Sequence, residues 1–222
     1  MKNSIVTSLT LISTLAALAA LSGCGSAQDL NQANMSKAMQ TYLAQRGELC
    51  LAKSNWPIDV AAAETGTGSR NGVQMPVLEK LGLVSAGDAV AERKDDDGNV
   101  TKVPVRRYQL TAEGKKYYLA RPPHKHEVDN RYAAAPYDFC AAKITLDKVV
   151  GWEKVAPQPT GAQGPAEAVV TYTYQVQPAP WSVDANVGRV FPMLANVLKG
   201  AGVMQLKESF VLTPTGWEAK DL

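Results

Sequence analysis

Arg106–Tyr118 reads RRYQLTAEGKKYY, and its first five residues close a hairpin. AVAER and VTKVPVRRYQL flank KDDDGN, whose Asp97-Gly98 pair is a strong turn signal. Thr111 then stands where a helix cap belongs, and TAEGKKYYLA is expected to begin a last helix. Working backwards, Met35, Ala38, Met39, Tyr42 and Leu43 share one helical face. They predict a helix from about Asn34 to Arg46, capped by Asn34 and ended by Gly47. NWPIDVA reads as a short strand, and ETGTGSRNG, Glu64 to Gly72, as a loop. Pro76 is expected in the first turn of the next helix, with Val77, Leu78 and Leu81 facing inward and Gly82 at the end.

Helix, strand, short helix, hairpin is an order that resembles a winged helix. The resemblance implies a wing at Asp95 to Asn99. That segment is acidic, whereas a wing on DNA phosphates is usually basic. The whole chain has 23 basic against 21 acidic residues, which leaves no broad electrostatic footprint for nucleic acid. No nucleic-acid partner is expected.

The N-terminus addresses the chain elsewhere. Lys2 supplies a positive start, and an apolar run from Ile5 to Leu21 ends in Leu21-Ser22-Gly23-Cys24. This tetrapeptide resembles the lipobox of bacterial lipoproteins at all four positions. The resemblance implies a signal peptide over 1–23, cleavage after Gly23, and lipidation of the Cys24 thiol. A single acyl chain holds only marginally, so two or three chains make the anchor. Gly25 in place of Asp favours the outer membrane, facing the periplasm. The expected partners are therefore the membrane, through this lipid, and an envelope protein.

Two cysteines remain, Cys50 and Cys140. In an oxidising envelope compartment such a pair most often forms a disulfide. Two free thiols or a redox pair are the alternatives, and no CxxC motif supports the latter.

Beyond a lipidated tether at 24–33 and the winged-helix-like half at 34–120, a connector at 121–137 is rich in Pro and polar residues. Residues 138–222 read as β-rich, so the fold class is α+β. CAAKITLDKVVGWEKV is a long strand or two, and AVVTYTYQV alternates with period two. VGRVFPMLANVLKG reads as helix interrupted or begun at Pro192, and VMQLKESFVLTPTGWEA as strand, then turn. MPVLEKLGLV and YQLTAEGKKY find echoes in FPMLANVLKGAGVM and FVLTPTGWEA, so that Leu110, Thr111 and Gly114 align with Leu212, Thr213 and Gly216. An internal repeat and simple convergence on a common turn are both open. FCAAKITLDKVVGW, VTYTYQV and LTPTGW are also similar to a group of uncharacterised proteobacterial envelope lipoproteins. That similarity implies a location and no activity.

Chemistry-bearing motifs are sparse. His124 and His126, with Glu127 and Asp129, are the metal candidates, but without a distant further ligand they read as solvated connector. DDDGN starts like a calcium loop, yet the positions that require Gly and Glu hold Val100 and Arg106. GxSxG, SxxK, HExxH and phosphate-binding glycine loops are absent from the sequence, and no cofactor is expected. Trp56, Trp152, Trp181 and Trp217 read as packing residues. The expected function is a non-catalytic binding, structural or accessory role. The alternative is an envelope hydrolase acting on cell-wall or lipid substrate through carboxylates that the sequence does not single out.

Overall fold

A computed structural model describes residues 26–66, 68–94, 96–122, 136–156 and 164–222. The protein is α+β and rich in strand, with a curled sheet at its centre. Cys24, and His124, His126, Glu127 and Asp129, lie outside the described residues.

The alternating stretch forms the middle of the larger sheet. Strands β1 (Glu48–Cys50), β6 (Tyr137–Lys154), β7 (Glu167–Pro178), β8 (Gln205–Thr213) and β9 (Gly216–Ala219) pair in that order, all antiparallel, and β5 (Tyr118–Ala120) pairs with the start of β6. Ala168, Val170, Tyr172 and Tyr174 of β7 are buried, as period two requires. The register of β6 against β7 slips between Leu146 and Lys148 and between Val149 and Gly151. Each bulge adds a residue to β6 alone and increases its bend. The curled sheet wraps one side of α1 (Gln32–Arg46), whose Met35, Ala38, Met39 and Leu43 pack with Val149, Val170, Tyr172, Phe210 and Trp217.

Helix α1 starts before the expected Asn34. Asn31 is the cap, its side-chain oxygen accepting from the Asn34 N–H at 2.9 Å. Asn34 instead donates from its side chain to the carbonyls of Ser26 and Asp29.

The second sheet has three strands in the order β2 (Ile58–Ala61), β4 (Val100–Leu110), β3 (Val84–Lys94). The β3–β4 hairpin is in register from Val84 opposite Leu110 to Lys94 opposite Val100. Helix α2 (Arg70–Lys80) links β2 to β3, and its Met75 and Leu78 are fully buried. It begins inside the stretch expected to be loop, because Ser69 caps it by accepting from the Gly72 N–H at 2.9 Å. Pro76 is therefore interior to the helix rather than in its first turn. The core beneath this sheet also takes Phe139 and Trp181, Val187 of α4 (Ala185–Val190), and Phe191 and Leu194 at the start of α5 (Pro192–Gly200). Helix α1, grouped by sequence order with this half, packs on β6 and β9 instead.

The two LTxxG segments make different turns. Thr111 caps a single turn, α3 (Ala112–Lys115), its Oγ1 accepting from the Gly114 N–H. The chain then extends as β5, because the tyrosine-rich KKYYLA favours a strand over the expected longer helix. A Cβ on Gly114 would lie 1.9 Å from the Leu83 carbonyl oxygen. Thr213 instead opens the β8–β9 hairpin, and Gly216 has φ +127°.

Candidate functional site

Three places gather polar chemistry. The first surrounds the disulfide. Cys50 and Cys140 face each other across β1 and β6 and are bonded, with a sequence separation of 90. The loop that follows Cys50 is fastened at nearly every residue. Arg70 donates to the Leu51 carbonyl, Trp56 Nε1 to the Lys53 carbonyl, and Tyr118 Oη to the Ser54 carbonyl. The Lys53 N–H donates at 2.7 Å to Asp138 Oδ1, which also accepts from the Phe139 N–H.

Lys53 itself is turned inward and only 4% exposed. Its Nζ donates at 2.6 Å to Asn71 Oδ1 on α2. Burial, with the Arg70 cation adding to it, pushes the amine down to about 8, while Asp138 works the other way. The aromatic rings of Trp56, Tyr117, Phe139 and Trp181 pack edge-on or tilted alongside. This arrangement holds a loop, α2 and β6 together. With its side chain buried and its amine held by Asn71, Lys53 acts as a clasp. The sequence carries no signal for it, since a lone lysine in LAKSNWP has the pattern of a solvated residue.

The second place is the outer part of the three-stranded sheet. Strand β3 pairs only with β4, so its other edge is open among the described residues. Val90 and Val100, near the hairpin end, are 60% and 59% exposed. A shallow groove on the face of the hairpin is lined by Ala86, Gly87, Asp88 and Ala89 of β3 and by Arg107 and Gln109 of β4. Behind it the sheet is tied by ion pairs. Arg107 grips Asp59 with both Nε and an Nη, at 2.7 and 2.8 Å, Arg106 meets Glu79 at 2.7 Å, and Arg93 meets Glu64 at 2.9 Å. The Arg107 hydrogen bonds hold Asp59 below the usual carboxylate range, and Arg93 does the same for Glu64.

The third place lies under α1. The Tyr42 phenol is pushed far up, first by burial and then by its hydrogen bond to Glu208. Burial, then Glu208, Tyr174 and Asp221, raise Tyr172 to about 12. Glu208 and Asp221 thus act on the same two tyrosines, from β8 and from the C-terminus. Both phenols keep their protons at neutral pH, and Tyr42 is hydrogen-bonded to Glu208.

Of the candidate site residues singled out from sequence, Cys50 and Cys140 are the two that lie among the described residues, and they are brought together. The DDDGN stretch closes the β3–β4 hairpin, with Asp95 outside the described residues. Trp181 and Trp217 are buried at 8% exposure, and the half-buried Trp56 and Trp152 pack against the two cores. Among the described residues no three His, Cys, Asp or Glu side chains gather as a metal site, and no helix is long and apolar enough to cross a membrane. Comparison of the chain with protein-family models, with curated proteins and with solved structures found no match.

Proposed function

We propose that this chain is a lipid-anchored protein of the bacterial cell envelope that works by holding a protein partner, without a catalytic step. The lipobox-like LSGC at residues 21–24 supports the anchor and the outer membrane as its place. The Cys50–Cys140 disulfide supports an oxidising compartment.

The observation that carries the binding role is the open edge of β3. An unpaired strand edge is a template for an extended segment of another chain, because each of its outward N–H and C=O groups seeks a partner. The winged-helix-like reading of residues 34–120 draws support only over 58–110, from the strand order β2-β4-β3 with α2 inserted after β2; α1 packs elsewhere. The near-neutral chain and the aspartates at the hairpin turn point that scaffold toward protein and away from nucleic acid.

The test is a photo-crosslinking residue at Val90, activated in intact cells, with Met193 on α5 as the comparison position. One protein adduct specific to Val90, recovered reproducibly, is expected. Adducts that are absent, or the same at both positions, would remove the edge as the binding surface.

The cluster of Tyr42, Tyr172, Glu208 and Asp221 favours a second reading, an envelope hydrolase using this acid pair. A general acid needs its carboxyl pKa raised. The carboxyls with a displaced pKa, Asp59, Glu64, Glu113, Asp147 and Asp184, all move downward. That weighs toward binding. A Glu208→Gln variant that loses an envelope function at unchanged abundance would reverse the preference.

A further inference from the structure

The hydrogen bonds of the β3–β4 hairpin say which groups the free edge of β3 offers. The Thr111 N–H donates to the Leu83 carbonyl at 3.1 Å, so Leu83 and Thr111 form a hydrogen-bonded pair. From there the register runs without a slip, from Val84 opposite Leu110 to Lys94 opposite Val100. Bonded and non-bonded pairs alternate along an antiparallel ladder. The odd-numbered residues of β3 therefore bond to β4, and the N–H and C=O groups of Ala86, Asp88, Val90, Glu92 and Lys94 point outward. Pro104 agrees with this alternation. It stands opposite Val90, in a non-bonded pair, where its missing N–H costs the hairpin no bond.

Strand β3 has neither a proline nor a bulge to blunt this edge. Along the chain its charges run Asp88, Glu92, Arg93, Lys94, acids first and bases last. The side chains of Asp88 and Lys94 are exposed and take no ion pair or hydrogen bond among the described residues. An antiparallel neighbour reverses the order of charges, so this segment is complementary to itself. We infer that a second copy of this chain docks here, β3 against β3, with Ala91 on the two-fold axis. The inference rests on the edge of β3 being the binding surface, as proposed above, and makes the partner another copy. The outward groups of Asp88 then bond to those of Lys94, and the outward groups of Val90 to those of Glu92. The two three-stranded sheets become one. Each Asp88 carboxylate faces the Lys94 ammonium of the other copy, a favourable cross-strand pair. Arg93 faces the small Ala89 and keeps its bond to Glu64, and Glu92 has Lys102 opposite it on β4. Other axes lose this match. An axis at Val90 sets Asp88 against Glu92, one at Asp88 sets that acid against itself, and one at Ala89 leaves Asp88 opposite Val90 and Lys94 opposite Val84.

On the axis Ala91 meets itself in a non-bonded pair, where Cα atoms lie about 4.5 Å apart, within reach of a disulfide. The full chain carrying Ala91→Cys is oxidised with copper phenanthroline in lysed cells and separated without reductant. The parent chain sets the background from Cys24, and Ala89→Cys is the neighbouring comparison. The expected result is a covalent dimer at Ala91→Cys, several-fold above that at Ala89→Cys. Asp88→Lys added to Ala91→Cys should lower the dimer several-fold, and Lys94→Asp added to both should restore it. No dimer above the parent, equal dimer at both positions, or a charge reversal that Lys94→Asp does not rescue would overturn the self-pairing. A photo-adduct of Val90 with a different protein, beside no dimer at Ala91→Cys, would overturn the second copy and leave the binding edge standing. No adduct at Val90 and no dimer would overturn both.

Discussion

Lys53→Met should make the protein more stable at neutral pH, although it deletes a hydrogen bond. The amine is lowered from its ordinary 10.5 to about 8 by burial and by Arg70. At pH 7 it is nevertheless charged, so the folded state bears the cost of a buried cation. A displacement of that size corresponds to about 3 kcal/mol. Removing the amine also strips Asn71 Oδ1 of its donor, which costs about 1 kcal/mol. The net gain is about 2 kcal/mol, or a rise of about 4–8 °C in Tm for a chain of this size. The sign with pH follows from the depressed pKa. Between about 8 and 10.5 the unfolded chain still binds the proton that the folded chain has released, so the native protein gains stability as pH rises through this window. The Met variant gains nothing from this group. Its advantage should be full below pH 8, shrink toward 10.5, and turn into a deficit of about 1 kcal/mol above that. Urea unfolding of both proteins at intervals from pH 6 to about 10.5 measures this directly, because the other titrating groups are common to the pair. A variant less stable than the parent by the same amount at every pH would refute the reasoning.

Replacing Cys50 and Cys140 by Ser removes a crosslink of separation 90, and urea unfolding should show a loss of about 4 kcal/mol in the chain-entropy description; in the parent, neither thiol should alkylate before reduction. Arg107→Ala should lower stability modestly at pH 7, read by urea unfolding, since the pair is bidentate but partly exposed. Asp59 has a depressed folded pKa, so this contribution is present above the unfolded value near ~4 and is lost as pH falls through the folded one; the penalty of the variant should vanish in acid. Gly114→Ala forces a methyl to within 1.9 Å of the Leu83 oxygen and should lower stability by more than about 2 kcal/mol by thermal melting, whereas Gly87→Ala, with open space around it, should change it by about 0.5 kcal/mol or less.

Local patterns were legible where one period or one turn decides the outcome. The alternation of VTYTYQV, the apolar face from Met35 to Leu43 and the Asp97-Gly98 hairpin all appear as read. Two cysteines left in the chain sufficed for the disulfide. Less was legible where the outcome depends on a distant surface. The apolar stripe of α1 says that it packs, but not on which sheet. The bulges at Asp147 and Val150 break the alternation of β6, which made KITLDKVVGWEK read as one strand or two. Pro76 argued for a helix start on local grounds, while Ser69 had already supplied a cap about two turns earlier. Lys53 is inward because the loop around it is fastened by Asp138, Arg70 and Tyr118, residues far off in sequence. The acids under α1 were hidden for the same reason, since Tyr42, Tyr172, Glu208 and Asp221 meet only after three elements have packed.

The two LTxxG segments show how one local pattern serves opposite ends of the molecule. At Thr111 the hydroxyl accepts from the Gly114 N–H and donates toward the Gly82 and Leu83 carbonyls, stitching the hairpin to β5 and hence to the disulfide. At Thr213 the hydroxyl donates to the Gly216 carbonyl and closes the hairpin on which Ala27 lies. One turn builds the three-stranded sheet and the other receives Ala27 and Gln28.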